Sequence, residues 1–182
     1  MPSLADVLSD RLAYPYSLEA FIDHLSRCHC VENLEFLGEV SQYETSYNAK
    51  QPAADVCEDS AESRSRCDDL CAHWGNILDT YVSVTGSGAL NLPCDIRDRL
   101  LNLPRTSVLP HPSELSPAFK VIYELIEESV FPEFLSSRML EKSPHQNGCT
   151  IGTKSVSENS RYGALCNNVF TWELTLPHRS VA

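Results

Sequence analysis

Apolar residues recur along this chain at intervals of three and four. Leu18, Phe21, Ile22 and Leu25 stand at i, i+3, i+4 and i+7 behind Ser17, whose hydroxyl suits an N-cap, and together they predict a helix with one apolar face. Phe36, Val40, Tyr43 and Tyr47 form a second stripe. Leu70, Trp74, Ile77, Leu78 and Tyr81 form a third, and Phe119, Ile122, Tyr123, Ile126 and Val130 a fourth, each wide enough to face a core. Short helices are expected at Asp95–Leu101 and Pro132–Leu140. No segment of this region alternates with the period of a strand, so the pattern predicts an all-α bundle of antiparallel helices joined by short loops.

Two stretches interrupt the periodicity. Residues 50–66 contain Gln-Pro-Ala-Ala after Lys50 and continue in a mixture of Ser, Glu, Asp and Arg with few apolar anchors, which predicts a mobile insertion loop between two core helices. Thr85-Gly86-Ser87-Gly88 is expected to end the third helix and begin a turn leading to Asn91-Leu92-Pro93. Beyond Lys142 the composition shifts to Ser, Asn, Gly and Thr. Phe170, Trp172, Leu174 and Leu176 alternate there as a strand would, but a lone strand has nothing to pair with. The expected organisation is a helical lead-in over residues 1–13, one domain over 14–141, and a disordered tail over 142–182.

The 182 residues suffice for one domain, and a hydrophobic content of 42% supports a packed core. Charge sharpens the division: residues 13–141 hold 9 basic and 21 acidic side chains, net −12, whereas 142–182 hold 4 and 2, net +2. An acidic domain repels polyanions, which argues against nucleic acid and against anionic membrane surfaces as partners. The first ten residues carry acids where a secretory signal carries bases, and no apolar run approaches the ~20 residues of a membrane span. A cytoplasmic protein without membrane insertion is expected. Its eight cysteines then read as reduced thiols rather than a disulfide framework.

Candidate chemistry is sparse. Cys28-His29-Cys30 and the Cys67, Cys71, His73 group offer zinc ligands, but they lack two matched Cys pairs at zinc spacing, so no metal site is expected. There is no nucleophile elbow, and Gly86-Ser87-Gly88 lacks the length and the Lys-Ser/Thr of a phosphate loop. Glu127 and Glu128 are adjacent on a helix, point about 100° apart and read as a solvated face. Neither a catalytic residue nor a cofactor is expected. Asn33 and Asn91 flank helices and turns, where asparagine either caps the backbone or reads a partner's loop.

Glu32-Asn33-Leu34-Glu35-Phe36 resembles the opening of a helix in the regulator of G-protein signalling (RGS) family, Glu-Asn-(Ile/Leu)-x-Phe-Trp. Ser17–Cys28 resembles the preceding family helix with its buried Phe, here Phe21. Ala89-Leu90-Asn91-Leu92 resembles the (Ile/Val)-Asn-Leu loop, Phe119–Glu128 the long amphipathic helix, and Ser129–Ser137 the Tyr-Pro-x-Phe-Leu-x-Ser ending. These matches run in order over about residues 14–140; the insertion at 50–66 and the acidic core are similar to fungal members. The resemblance implies an all-α fold of about nine helices that binds a GTP-bound heterotrimeric G-protein α subunit and accelerates its GTP hydrolysis.

By the same resemblance, Asn91 would meet the switch region that holds the water-orienting glutamine. Glu32 and Asn33 would also face the switches, and Leu125, Ser129 and Glu133 would fall at a third contact. The chain departs from the family at Ser129, often acidic or amide, at Glu133, often basic, at Leu37, usually Trp, and at Cys28, commonly an acid. Two readings follow. One is a monomeric GTPase activator that terminates G-protein signalling; the other is an RGS-like interaction or scaffold domain that binds without activating turnover.

Overall fold

A computed structural model describes residues 2–49, 61–103 and 109–141, with the side chains of 61–66 and 141 outside that description. Among these residues the fold is helical throughout, with no strand. Its α-helices are α1 (Leu4–Leu8), α2 (Leu18–Arg27), α3 (Val31–Asn48), α4 (Ala61–Ile77), α5 (Cys94–Leu101), α6 (Ser116–Leu125) and α7 (Phe131–Glu141). Two π turns, Leu78–Val82 and Ile126–Val130, prolong α4 and α6, and Pro112–Glu114 is a 3₁₀ turn. No described helix is long and apolar enough to cross a membrane.

The chain separates into two compact units. Among the described residues the first comprises 2–30 with 125–141, and the second those between 31 and 124. In the first, Ser3 caps α1 through a reciprocal box: its Oγ accepts from the Asp6 N–H, and the Asp6 carboxylate accepts from the Ser3 N–H at 3.3 Å and Oγ at 2.6 Å. Ser17 caps α2 as expected, accepting from the Ala20 N–H. Both helices stop in the same way. After α2 the Cys30 N–H donates to the Leu25 carbonyl and the His29 N–H to the Ser26 carbonyl, with His29 at φ 53°. After α1 the Arg11 and Asp10 N–H groups donate to the Asp6 and Val7 carbonyls, with Asp10 at φ 50°. These are Schellman endings in which His29 and Asp10 hold the left-handed position that glycine usually fills. His29 therefore terminates a helix.

The core of this unit is aromatic. Phe21 meets Phe134 at 5.0 Å and Phe131 at 6.0 Å between ring centroids, edge to face. Arg138 is only 5% exposed, donates from Nη2 to the Ala20 carbonyl at 3.2 Å and lies over the Phe134 ring. The π turn before α7 has a local cause in Pro132. Proline supplies no N–H and its ring collides with the carbonyl four residues back, so a helix running through it must widen. The Phe131 N–H accordingly donates to Ile126, five residues earlier.

In the second unit, α3 pairs with α4. Leu34, Phe36, Leu37, Val40 and Tyr43 are all fully buried. The Tyr43 ring lies 5.3 Å from Trp74 while its hydroxyl donates to the Pro110 carbonyl at 2.6 Å, and burial pushes its ionisation well above the ordinary tyrosine value. His73 meets the Glu39 carboxylate at 2.8 Å.

The sequence pattern placed these helices, with differences at their ends. Helix α4 starts at Ala61, so residues 61–66 belong to a helix and not to the loop expected over 50–66. The apolar stripe begins only at Leu70, but Ala61, Glu62, Arg64 and Arg66 are good helix formers, and propensity carries the backbone outward from the anchored turns. Residues 50–60 and the tail 142–182, with its alternating Phe170–Leu176 segment, lie outside the described residues. Ile22, Tyr47 and Val130, assigned to apolar stripes, are half-buried.

Candidate functional site

The second unit carries Glu32, Asn33 and Asn91. Helix α4 leaves its π turn at Val82, where the Ser83 N–H donates to the Leu78 carbonyl at 2.8 Å, and the chain doubles back. The Gly88 and Leu90 N–H groups donate to the Thr80 and Tyr81 carbonyls at 3.2 and 2.9 Å, lashing the loop to the helix end. Gly86 is required by proximity: a Cβ there would run into the Thr80 and Asp79 carbonyl oxygens. A Cβ on Gly88 would lie 3.2 Å from the Tyr81 ring and 3.5 Å from Glu32 Cβ. The loop therefore passes over Tyr81 beside the first turn of α3, and the Phe36 ring of that helix lies 5.7 Å from Tyr81.

Asn91 sits at the centre of a three-residue turn closed by the Leu92 N–H on the Leu90 carbonyl at 3.0 Å. Leu90 and Leu92 are each 3% exposed, whereas Asn91 is exposed. Two buried leucines pin the backbone on both sides of one outward amide. Among the described residues no hydrogen bond engages the Asn91 side chain, so its amide is available to a partner and is not consumed in an Asx turn.

Arg97 on α5 completes the support. Its Nη2 donates to the Leu90 carbonyl at 2.7 Å and its Nε to the Val82 carbonyl at 3.1 Å, so one half-buried guanidinium joins the end of the helix to the residue before Asn91. Two charge-assisted bonds in the fork geometry of arginine define both loop ends. Sequence reasoning missed Arg97, because its partners are backbone carbonyls 15 and 7 residues away and leave no side-chain signature.

Glu32 is half-buried beside this loop. Asn33 is only 6% exposed and already engaged within the fold. Leu37, standing where the resembling family has Trp, is fully buried, as expected of a core exchange.

The first unit carries the remaining three positions. Leu125, the last residue of α6, is 38% exposed, and Ser129 is exposed within the following π turn. Glu133 is exposed in the first turn of α7. It faces the buried His24, whose ionisation is pushed down chiefly by burial and by the Arg27 and Arg138 charges, with Glu133 opposing them. Cys28, Cys71 and Cys94 are free thiols.

Comparison with curated proteins and with solved structures gave no match. A family model does match: the regulator of G protein signaling domain, over residues 7–143. That span takes in the ordered Glu-Asn-Leu-Glu-Phe turn of α3, the Asn91 loop and α6 through α7, and the chain therefore belongs to the RGS domain family.

Proposed function

We propose that this domain binds the GTP-loaded α subunit of a heterotrimeric G protein and speeds its GTP hydrolysis, so terminating the signal. The observation that carries the reading is Asn91: an exposed amide between two buried leucines, on a loop held by Arg97, at the position where the family presents its switch-contacting asparagine. Glu32 and Asn33 are offered to the switches as well, and Leu125, Ser129 and Glu133 supply further contacts.

The domain needs no nucleophile for this. The α subunit carries its own arginine in cis and a glutamine that orients the attacking water. A partner that binds the switch loops more tightly in their transition-state arrangement than in the ground state lowers the barrier, and each 1.4 kcal/mol of that preference is worth about tenfold in rate. A rigidly anchored loop suits the task, since ordering it on binding would consume part of the preference. The excess acidity of residues 13–141 steers the encounter toward a basic partner surface.

Ser129 and Glu133 depart from the family pattern and favour a second reading, binding without activation. The two separate in one experiment: capture of α subunits by the immobilised domain in the GDP state and in the GDP-aluminium fluoride state. Strong preference for the latter, abolished by Asn91→Ala, supports the activator. Equal capture of both states supports the scaffold.

A further inference from the structure

His24 lies in the last turn of α2 and Cys28 is its C-cap, four residues on, so both project from one face of the helix. His24 Nε2 and Cys28 Sγ are 3.6 Å apart. Glu133, from the first turn of α7 in the same unit, brings a carboxylate oxygen within 4.8 Å of both. Among the described residues this is the one place where three such donors converge.

The distances fit a metal. With Zn–S of about 2.3 Å, Zn–N of about 2.0–2.1 Å and a tetrahedral angle, sulfur and nitrogen on one zinc ion lie about 3.6 Å apart. His24 and Cys28 already hold that separation. A carboxylate oxygen on the same ion would lie about 3.4–3.6 Å from the other two donors, which the exposed Glu133 side chain reaches by rotation. The imidazole is oriented beforehand, being 8% exposed with its ring 5.6 Å from Phe134.

We propose that His24, Cys28 and Glu133 form a binding site for a divalent ion of the zinc class, with the fourth position open to water. Imidazole and thiolate beside one carboxylate select zinc-like ions over magnesium or calcium, which require oxygen donors. Binding exchanges the Cys28 thiol proton for the ion and releases that proton to solvent. The neighbouring cysteine and histidine take no part: His29 holds the left-handed helix stop, and Cys30 Sγ is directed at the Leu25 carbonyl at 3.7 Å. The proposal does not depend on a G-protein partner.

The test is metal titration of the full, reduced, metal-free chain, with zinc in competition with a chromophoric chelator and with cobalt followed by its absorption. One ion per chain, a thiolate-to-cobalt charge-transfer band and proton release on binding are expected. Cys28→Ser should abolish the band, Glu133→Gln should weaken zinc binding at least about tenfold, and Cys30→Ser should change neither. Cys28 and Glu133 are exposed, so these variants fold even if substitution of the buried His24 does not. Absence of zinc binding by the unaltered chain, or a band that survives Cys28→Ser, would overturn the proposal.

Discussion

Removing the Arg97 side chain is the most informative perturbation of the Asn91 loop. In Arg97→Ala the Val82 carbonyl loses its guanidinium donor, and the Leu90 carbonyl retains only the Leu92 N–H of the tight turn. Hydrogen bonds to charged groups contribute about 1.5–3 kcal/mol each when buried. Arg97 is half-buried and water can replace part of the loss, so the pair is worth about 1–3 kcal/mol toward keeping the loop closed. The core beneath it does not depend on the guanidinium, because Leu100 and Tyr81 are buried by packing. The loss should therefore appear as local opening and not as global unfolding. Amide hydrogen exchange reads this directly: the Leu90 and Leu92 N–H groups should exchange about 5- to 150-fold faster in Arg97→Ala, at about tenfold per 1.4 kcal/mol, while the amides of α3 are unchanged. Arg97→Lys keeps the charge but not the fork and should recover only part of the protection. Unchanged exchange at Leu90 and Leu92 would refute the clamp, and a uniform rise across the domain would show Arg97 to be an ordinary stability residue.

Other positions give sharper contrasts. Gly86→Ala should lower stability by about 1–3 kcal/mol in denaturant unfolding, because a Cβ there meets two backbone oxygens, whereas Gly88→Ala meets the side chains of Tyr81 and Glu32 and should cost less. Leu37→Trp, which installs the residue usual in the family, should destabilise this fully buried site by about 1–3 kcal/mol in the same assay; a stabilising result would mean that the core holds unused space. His29→Gly relieves a left-handed φ and should raise stability by about 0.5–1 kcal/mol, visible as a higher melting temperature. The Asp6 carboxyl is held below its ordinary value first by the Ser3 side chain and then by the Ser3 N–H. Its folded value being depressed, the α1 cap contributes above the unfolded value and is lost as pH falls through the lowered folded one, below about pH 4. An NMR titration of Asp6 should show that depressed midpoint, and Ser3→Ala should move it upward.

What the sequence disclosed and what it withheld follow from the range of the interactions. The stripes of α2, α3, α4 and α6 are local, three and four residues apart, and they placed the core residues Phe21, Phe36, Tyr43, Trp74 and Phe119 in the interior where the structure has them. Asn91 stood out as an asparagine in a turn and through the resemblance of Ala89-Leu90-Asn91-Leu92 to the family loop, whereas the burial of Leu90 and Leu92 around its exposed side chain is set by tertiary packing. The backbone of 61–66 was misread because apolar spacing marks the buried face of a helix and is silent on the turns that extend beyond it. The burial of Asn33 depends on tertiary packing, which its position at a helix start does not disclose. Arg97 and the His24–Cys28–Glu133 cluster rest on contacts that bring a side chain to backbone or to a helix more than a hundred residues away. His24 and Cys28 at i and i+4 gave the single local hint of that cluster, obscured by the adjacent Cys28-His29-Cys30 run.

The central claim is that the domain accelerates GTP hydrolysis on an α subunit through the Asn91 loop. Single-turnover hydrolysis by GTP-loaded α subunits, with and without the domain, tests it most directly. The account predicts a rate increase with at least one heterotrimeric α subunit, lost in most part with Asn91→Ala while the folded stability of the variant is unchanged. No acceleration of any α subunit, or acceleration that Asn91→Ala leaves intact, would contradict it.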